Sequence, residues 1–404
     1  LTLADKTRVA VLGAGPGGYP AAFLAADMGC QVTLIDLDEL PGGVCLHRGC
    51  IPSKALLHVA KLLHEVRDAG QFGLDFGPPH IDLDGVRAFK DAVVAKMTGS
   101  LKLLGRQRKV DFLAGRGRFL DNRRLEVALN AGGSQVVEFD HAVVATGSVP
   151  IALPKLFGES PRVMDSTSAL LLEDVPETLL VVGGGYIGLE LGSVYDALGS
   201  RVTVVEATGG LLAGVDRDMV AILEGTLRRR FAEVLLDTKV VEAREVEGGI
   251  EVKLVGLDLA EPVRVFDKVL VSVGRRPNAA GLGLEEMGVE MTPQGFIKVD
   301  DQRRTNVTNL WAIGDIAGQP MLAHKATYEA RIVAEAIAGH ASSYDPQAIP
   351  AVVFTDPEIA WCGLTETEAQ TADLPHKVTR FPWAASGRAT TLARNDGLTK
   401  IIVD

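Results

Sequence analysis

At 404 residues, with 47% hydrophobic and 23% charged, the chain is too long for a single core and has the composition of a two- or three-domain globular protein. A net charge of −11 argues against a nucleic-acid surface, which needs a basic face, and no run reaches the roughly 18 apolar residues of a membrane span. Four cysteines exclude a disulfide scaffold, and the opening LTLADKTRVAVLGAG has no secretory signal; it begins with Leu rather than Met, which leaves open a natural start upstream.

Residues 8–36 read RVAVLGAGPGGYPAAFLAADMGCQVTLID: an apolar strand, a G-x-G-x-x-G turn, a helix, and a second strand ending in Asp36. In such a unit Gly13 permits the tight turn, Gly15 lets backbone approach a pyrophosphate, and Gly18 lets helix pack on strand. The helix start offers N–H groups to phosphates, and the acid accepts from a ribose. Pro20 in this helix is expected to shift it locally.

Residues 42–63, GGVCLHRGCIPSKALLHVAKLL, run from a glycine turn into an amphipathic helix. Cys45 and Cys50 stand close together in a cysteine-poor chain, which points to a catalytic or metal-binding pair. Zinc would need more Cys or His ligands than the nearby His47 offers, so no metal is expected and the pair is read as redox-active. Five-residue spacing places the thiols about a turn apart, close enough to bridge if the first turn is distorted. Arg48 between them, at a helix start, is expected to depress both thiol pKa values. Pro52 suits a first helical turn. The lone Cys30 and Cys362 read as small buried hydrophobes.

The unit closes with VVATGSVP (residues 143–150, containing Gly147), and then the pattern repeats. Residues 179–206, LLVVGGGYIGLELGSVYDALGSRVTVVE, carry Gly183, Gly185 and Gly188 and end in Glu206; VSVGRRP (residues 271–277) closes this copy with Gly274. The first copy is the longer, and the cysteine pair falls in its excess. Two dinucleotides and one dithiol imply an electron relay. After Glu206 comes ATGGLLAG, with no Arg or Lys to pair with a 2′-phosphate, which favours NAD over NADP. The first copy is then expected to hold FAD. TNVTNLWAIGDIA (residues 305–317) is a strand ending in Gly314-Asp315, read as a second flavin contact with Asp315 on the ribityl chain. Its place after the second copy predicts an α/β fold of two Rossmann-like dinucleotide-binding domains, the NAD domain inserted in the FAD domain.

The sequence resembles the dihydrolipoamide dehydrogenases, within the pyridine nucleotide-disulfide oxidoreductases. The resemblance runs from about residue 8 to the last residue and is carried by GAGPGGYPAA, GGVCLHRGCIPSKALLH, ATGSVP, GGGYIGLELG, RTNVTNLWAIGDIAGQPMLAHKA, FTDPEIAWCGLTE and FPWAASGRA. It implies that Cys45 is the interchange thiol and Cys50 the charge-transfer thiol against the flavin, with Lys54 near the flavin and Glu190 as its ion-pair partner. It also implies that Gly43 and Ala323 contact FAD, that Tyr186 lies by the nicotinamide, and that His324 is structural rather than acid–base.

The same resemblance implies a cytoplasmic, homodimeric enzyme that uses FAD and NAD. Its partner would be the lipoyl domain of a 2-oxo acid dehydrogenase complex or of the glycine cleavage system. The expected division is FAD domain 1–150, NAD domain 151–277, second FAD or central part 278–345, and an incomplete α+β interface domain 346–404. In the family a C-terminal His–Glu pair supplies the acid–base group across the dimer, and no HxHP-type segment occurs here. A chain continuing past Asp404 is therefore expected. Asp36 stands where the family more often has Glu. The rival readings are a glutathione or mercuric reductase of the same architecture, and a non-catalytic FAD/NAD-binding fragment.

Overall fold

The computed structural model describes residues 6–257 and 259–403; Leu1 and Asp404, on which the expectations about the ends rest, lie outside them. Contacts divide the chain into two compact units: residues 1–52, 88–149 and 275–347, and residues 53–87, 150–274 and 348–404.

The first unit is built on a seven-stranded sheet. Its first elements are the strand Arg8–Leu12 (β1), the helix Gly18–Asp27 (α1) and the strand Gln31–Asp36 (β2). The short helix Gly43–Arg48 (α2), the helix Cys50–Asp68 (α3) and the helix Leu83–Gln107 (α4) follow. Next come the strands Asp111–Phe119 (β3), Arg124–Leu129 (β4), Ser134–Glu138 (β5) and His141–Val144 (β6). The sheet order is Leu310–Ala312, β6, β1, β2, β3, β4, β5. From Leu310–Ala312 to β3 the strands are parallel, and β4 and β5 complete an antiparallel meander. Strands such as RVAVL are nearly all apolar because a parallel sheet is covered on both faces. The chain passes from β1 to β2 on one side and returns on the other with β6. The C-terminal ends of β1 and β6 therefore flank the crevice where doubly wound sheets bind ligands.

Leu310–Ala312 pairs with β6 only after the chain has traversed the second unit, so the second dinucleotide unit is inserted in the first, as the order of the motifs predicts. Pro20 occupies the third position of α1, where a backbone N–H has no intrahelical partner, so the helix absorbs it.

The second unit repeats the pattern in a five-stranded parallel sheet, ordered Glu233–Leu235, Arg201–Val205, Thr178–Val182, Lys268–Val271, Val163–Met164. The helix Tyr186–Leu198 is buried along most of its length, with Leu189, Leu191, Val194 and Tyr195 packed into the core. α3 begins at Cys50 in the first unit, and its Leu56, Leu57, Ala60 and Leu63 belong to this second core. Residues 348–404 also group with the second unit. They contain two antiparallel pairs, Ala351–Val353 with Ile359–Trp361 and Lys377–Pro382 with Leu398–Val403. Among the described residues no helix is long and apolar enough to cross a membrane.

Candidate active site

The two G-x-G-x-x-G turns have the same backbone contacts, and both fit a dinucleotide. A Cβ on Gly13 would lie 2.3 Å from the Ala145 carbonyl oxygen, just past β6; one on Gly183 would lie 2.6 Å from that of Ser272, at the matching place in the second sheet. A Cβ on Gly18 would fall 1.7 Å from Gly13 O, and one on Gly188 2.4 Å from Gly183 O. The middle glycines face open space: nothing lies within 4 Å of a Cβ on Gly185, and a Cβ on Gly15 would meet only the Gly43 Cα, at 3.9 Å. A side chain on Gly15 or Gly185 would therefore occupy the room a pyrophosphate needs.

The acids close each turn. Asp36 Oδ2 accepts from the Ala14 N–H and Oδ1 from the Asp38 N–H at 2.9 Å. Burial pushes the Asp36 carboxyl above its ordinary range, against the pull of those two bonds and of Arg48. Glu206 Oε2 accepts from the Gly184 N–H at 2.8 Å, and its Oε1 from the Thr208 N–H and Oγ1 at 2.9 and 2.8 Å. The first basic residue after Glu206 is Arg217, and its guanidinium donates to the carbonyls of Leu211, Leu212 and Val215. It is thus committed to its own loop, which supports the preference for NAD.

The cysteine segment is two helices rather than one. Cys45 lies in α2, Gly49 breaks the chain, and Cys50 is the first residue of α3, with Pro52 in its first turn. Gly49 is required: a Cβ there would sit 2.8 Å from Val44 O and 3.2 Å from the Cys45 Cα. This break is the distortion that a five-residue spacing needs if the thiols are to bridge. Cys45 is half-buried and Cys50 exposed. Arg48 makes a bidentate ion pair with Asp38 (2.9 and 2.8 Å). His47 Nε2 is 2.9 Å from Leu40 O, so α2 is tied twice to the loop after β2. Cys362 is also exposed and Cys30 only half-buried, so neither is the fully buried hydrophobe expected; Cys362 lies just past the short strand Ile359–Trp361, where packing ends.

Four residues after Cys50, Lys54 Nζ donates to Glu190 Oε2 at 2.8 Å. Glu190 is 4% exposed in its side chain, and it also accepts from Ser53 Oγ (3.0 Å) and, through Oε1, from the Phe354 N–H (3.0 Å). The Lys54 ammonium lies 4.4 Å from the centroid of the Phe354 ring. Tyr186 opens its helix and is 39% exposed at the second turn. On the first unit, Asp315 accepts from the Ser148 hydroxyl, which in turn accepts from Arg275 Nε at 2.7 Å. Gly314 has φ +76°, a left-handed conformation that favours glycine, and the Asn278 N–H donates to Gly147 O at 3.0 Å. Gly274, at φ +120°, closes the second unit, where the Ile151 N–H donates to its carbonyl at 3.0 Å. Ala323 begins the helix Ala323–Ile337 and His324 is exposed.

Sequence reasoning missed Ser53, Phe354, Arg275 and Tyr19. Tyr19 follows the third glycine, and its phenol is pushed up by burial and by the neighbouring Cys45. Its position at the start of α1 was the available signal. Ser53 and Phe354 had none, because their acceptor lies 137 and 164 residues away.

Residues 7–330 match the family model described as pyridine nucleotide-disulphide oxidoreductase, and residues 349–404 match its dimerisation domain. The chain is 47% identical to the dihydrolipoyl dehydrogenase of Haemophilus influenzae over 399 residues, covering 99% of this chain and 83% of the relative. It is 44% identical to that of Geobacillus stearothermophilus over 400 residues, covering 99% and 84%. Among solved structures it is similar to LpdA from Mycobacterium tuberculosis, with a TM-score of 0.89 at 28% identity, covering 98% of this chain and 86% of that one. It is also similar to RclA, the HOCl-induced flavoprotein disulfide reductase of Escherichia coli, with a TM-score of 0.86 at 28% identity and the same coverage. With two matching dinucleotide turns and a glycine-broken cysteine pair, the chain belongs to the pyridine nucleotide-disulphide oxidoreductase family.

Proposed function

We propose that the chain oxidises dihydrolipoamide to lipoamide with NAD, using Cys45 and Cys50 as the dithiol that meets the substrate. The observation that carries this reading is the pair itself, on two helices parted at Gly49, in a chain with two dinucleotide turns and relatives named dihydrolipoyl dehydrogenase. The family's cofactors are FAD and NAD; when bound, FAD supplies the two-electron relay between a dithiol and a nicotinamide. The first turn with Asp36, together with Gly314-Asp315, holds FAD, and the second turn with Glu206 holds NAD.

The chemistry of the chain's own residues is disulfide exchange. A substrate thiolate attacks Cys45 Sγ in the Cys45–Cys50 disulfide, forming a mixed disulfide and releasing Cys50 as thiolate. The second substrate thiolate then attacks its own sulfur, releasing lipoamide and leaving Cys45 reduced. Two electrons have passed to the chain, which now holds Cys45 and Cys50 as thiolates, and the substrate's two protons leave to a base. Lys54, held by Glu190, places a fixed positive charge one turn from Cys50. As the family's dimerisation domain implies, the working enzyme is a homodimer; its partner is a lipoyl domain of a 2-oxo acid dehydrogenase complex or the glycine cleavage system, and it works in the cytoplasm.

Steady-state NADH formation from dihydrolipoamide and NAD tests the reading. We expect turnover with NAD and little with NADP. Equal rates with both nucleotides, or reduction of glutathione disulfide without lipoamide turnover, would overturn it.

A further inference from the structure

Gly314, the residue before Asp315, is gripped on both sides by a buried ion cluster that the exchange chemistry does not use. Glu329 is 0% exposed and Lys325 2% exposed, both on the helix Ala323–Ile337. Glu329 Oε2 accepts from the Gly314 N–H at 2.7 Å, and Lys325 Nζ donates to the Gly314 carbonyl at 2.9 Å. Lys325 also meets Glu329 Oε2 at 3.1 Å, and Arg303 Nη1 closes the cluster on Oε1 at 3.0 Å. Ala326 lies under the turn, 3.3 Å from where a Gly314 Cβ would be. From the same helix, Thr327 Oγ1 donates to Pro16 O at 3.0 Å, within the first G-x-G-x-x-G turn.

Two buried charges joined by the half-buried Arg303 are a poor choice for stability alone, because desolvation offsets most of their attraction. What this cluster adds is direction. Peptide planes are rigid and trans, so a carbonyl and the next N–H point opposite ways. Holding both the N–H and the carbonyl of Gly314 fixes the planes on either side of it and aims the Asp315 N–H away from Lys325.

We propose that Lys325 and Glu329 are positioning residues for FAD: without touching the flavin, they set the Gly314 peptide planes that present Asp315 to its polyol and phosphate portion. The proposal rests on the reading that Asp315 contacts the flavin. Lys325 supplies a charge-assisted bond that holds the turn, whereas Arg303 shares the cluster without touching Gly314.

The test is the rate of FAD release from the holoenzyme, followed by flavin fluorescence, with NADH affinity measured alongside. Lys325→Met is expected to release FAD at least about tenfold faster than the wild type, consistent with losing one charge-assisted bond, while Arg303→Met stays within about threefold. NADH affinity stays unchanged in both. If Lys325→Met does not accumulate folded, Lys325→Gln, too short to reach the Gly314 carbonyl, carries the same expectation. Release by Lys325→Met within threefold of wild type, equal release by both variants, or a parallel loss of NADH affinity would overturn the clamp. Asp315→Ala separates the two readings: unchanged release there defeats the flavin assignment itself, whereas faster release there with an unaffected Lys325 variant defeats only the clamp.

Discussion

Glu190→Gln is the substitution whose cost the geometry fixes most closely. The Glu190 carboxylate accepts three hydrogen bonds: from Ser53 Oγ, from Lys54 Nζ and from the Phe354 N–H. The amide keeps an oxygen for Phe354 but turns donors toward Ser53 and the Lys54 ammonium. The charge-assisted bond from Lys54, typically about 1.5–3 kcal/mol, is lost, whereas the Ser53 hydroxyl can turn and accept from the amide. Because the Lys54 side chain is 31% exposed, water recovers part of its share. The expected loss is therefore about 2 kcal/mol, and a double-mutant cycle with Lys54→Met should return a coupling of about 1–1.5 kcal/mol. Denaturant unfolding of the four proteins, followed by circular dichroism, measures it. A coupling below about 0.5 kcal/mol would mean that Lys54 and Glu190 do not hold each other, and the proposed fixing of the lysine near the flavin would fail.

Further outcomes follow from the same contacts. Gly49→Ala brings a methyl to 2.8 Å from Val44 O, so it should lower the melting temperature and slow thiol exchange at Cys45 and Cys50; unchanged alkylation rates would refute the required break. Glu206→Ala removes the acceptor expected to meet the ribose, and the KM for NAD should rise about tenfold with kcat little changed; an unchanged KM would remove that assignment. Lys400 is paired with Asp216, Asp218 and Glu366 at 2.9, 3.1 and 2.5 Å. Burial alone would raise Asp216 and Asp218, but the bonds from Lys400 and the Glu366 N–H to Asp216, and from Arg380 and Lys400 to Asp218, outweigh it, and both lie below their ordinary value of 3.8. Glu366 is likewise held low, by its bond to Lys400. Carboxylates lowered on folding contribute stability above their ordinary pKa values and lose it as pH falls through the folded ones. The stability gap between wild type and Lys400→Met should thus be widest near neutral pH and narrow below about pH 4; a constant gap would contradict it.

How far the sequence could be read depended on whether a contact is made by neighbours or by distant residues. The paired turns were legible because backbone geometry alone dictates the glycines, and Gly13 and Gly183 meet the ends of their partner strands in the same way. The return of Leu310–Ala312 to the first sheet was legible from motif order. The Arg48 ion pair with Asp38 was not legible, because it depends on how the loop after β2 folds back. The cysteine segment reads in sequence as one helix with a distorted first turn, and its split into α2 and α3 at Gly49 was not legible, because it rests on the close approach of Gly49 to the Val44 carbonyl. Glu190 was found only through the resemblance, and its bond to the Phe354 N–H had no local signal. The buried pair Lys325 and Glu329 did carry one, since i and i+4 residues share a helix face.

The claim that Cys45 and Cys50 carry electrons from dihydrolipoamide toward NAD is tested most directly by mapping alkylated thiols on the FAD-loaded, oxidised protein. Dihydrolipoamide alone should expose two new thiols per chain, at Cys45 and Cys50, and NAD added afterwards should abolish both while one NADH forms per pair. NADH appearing without any change in labelling at these two residues, or labelling that NAD does not reverse, would contradict the account.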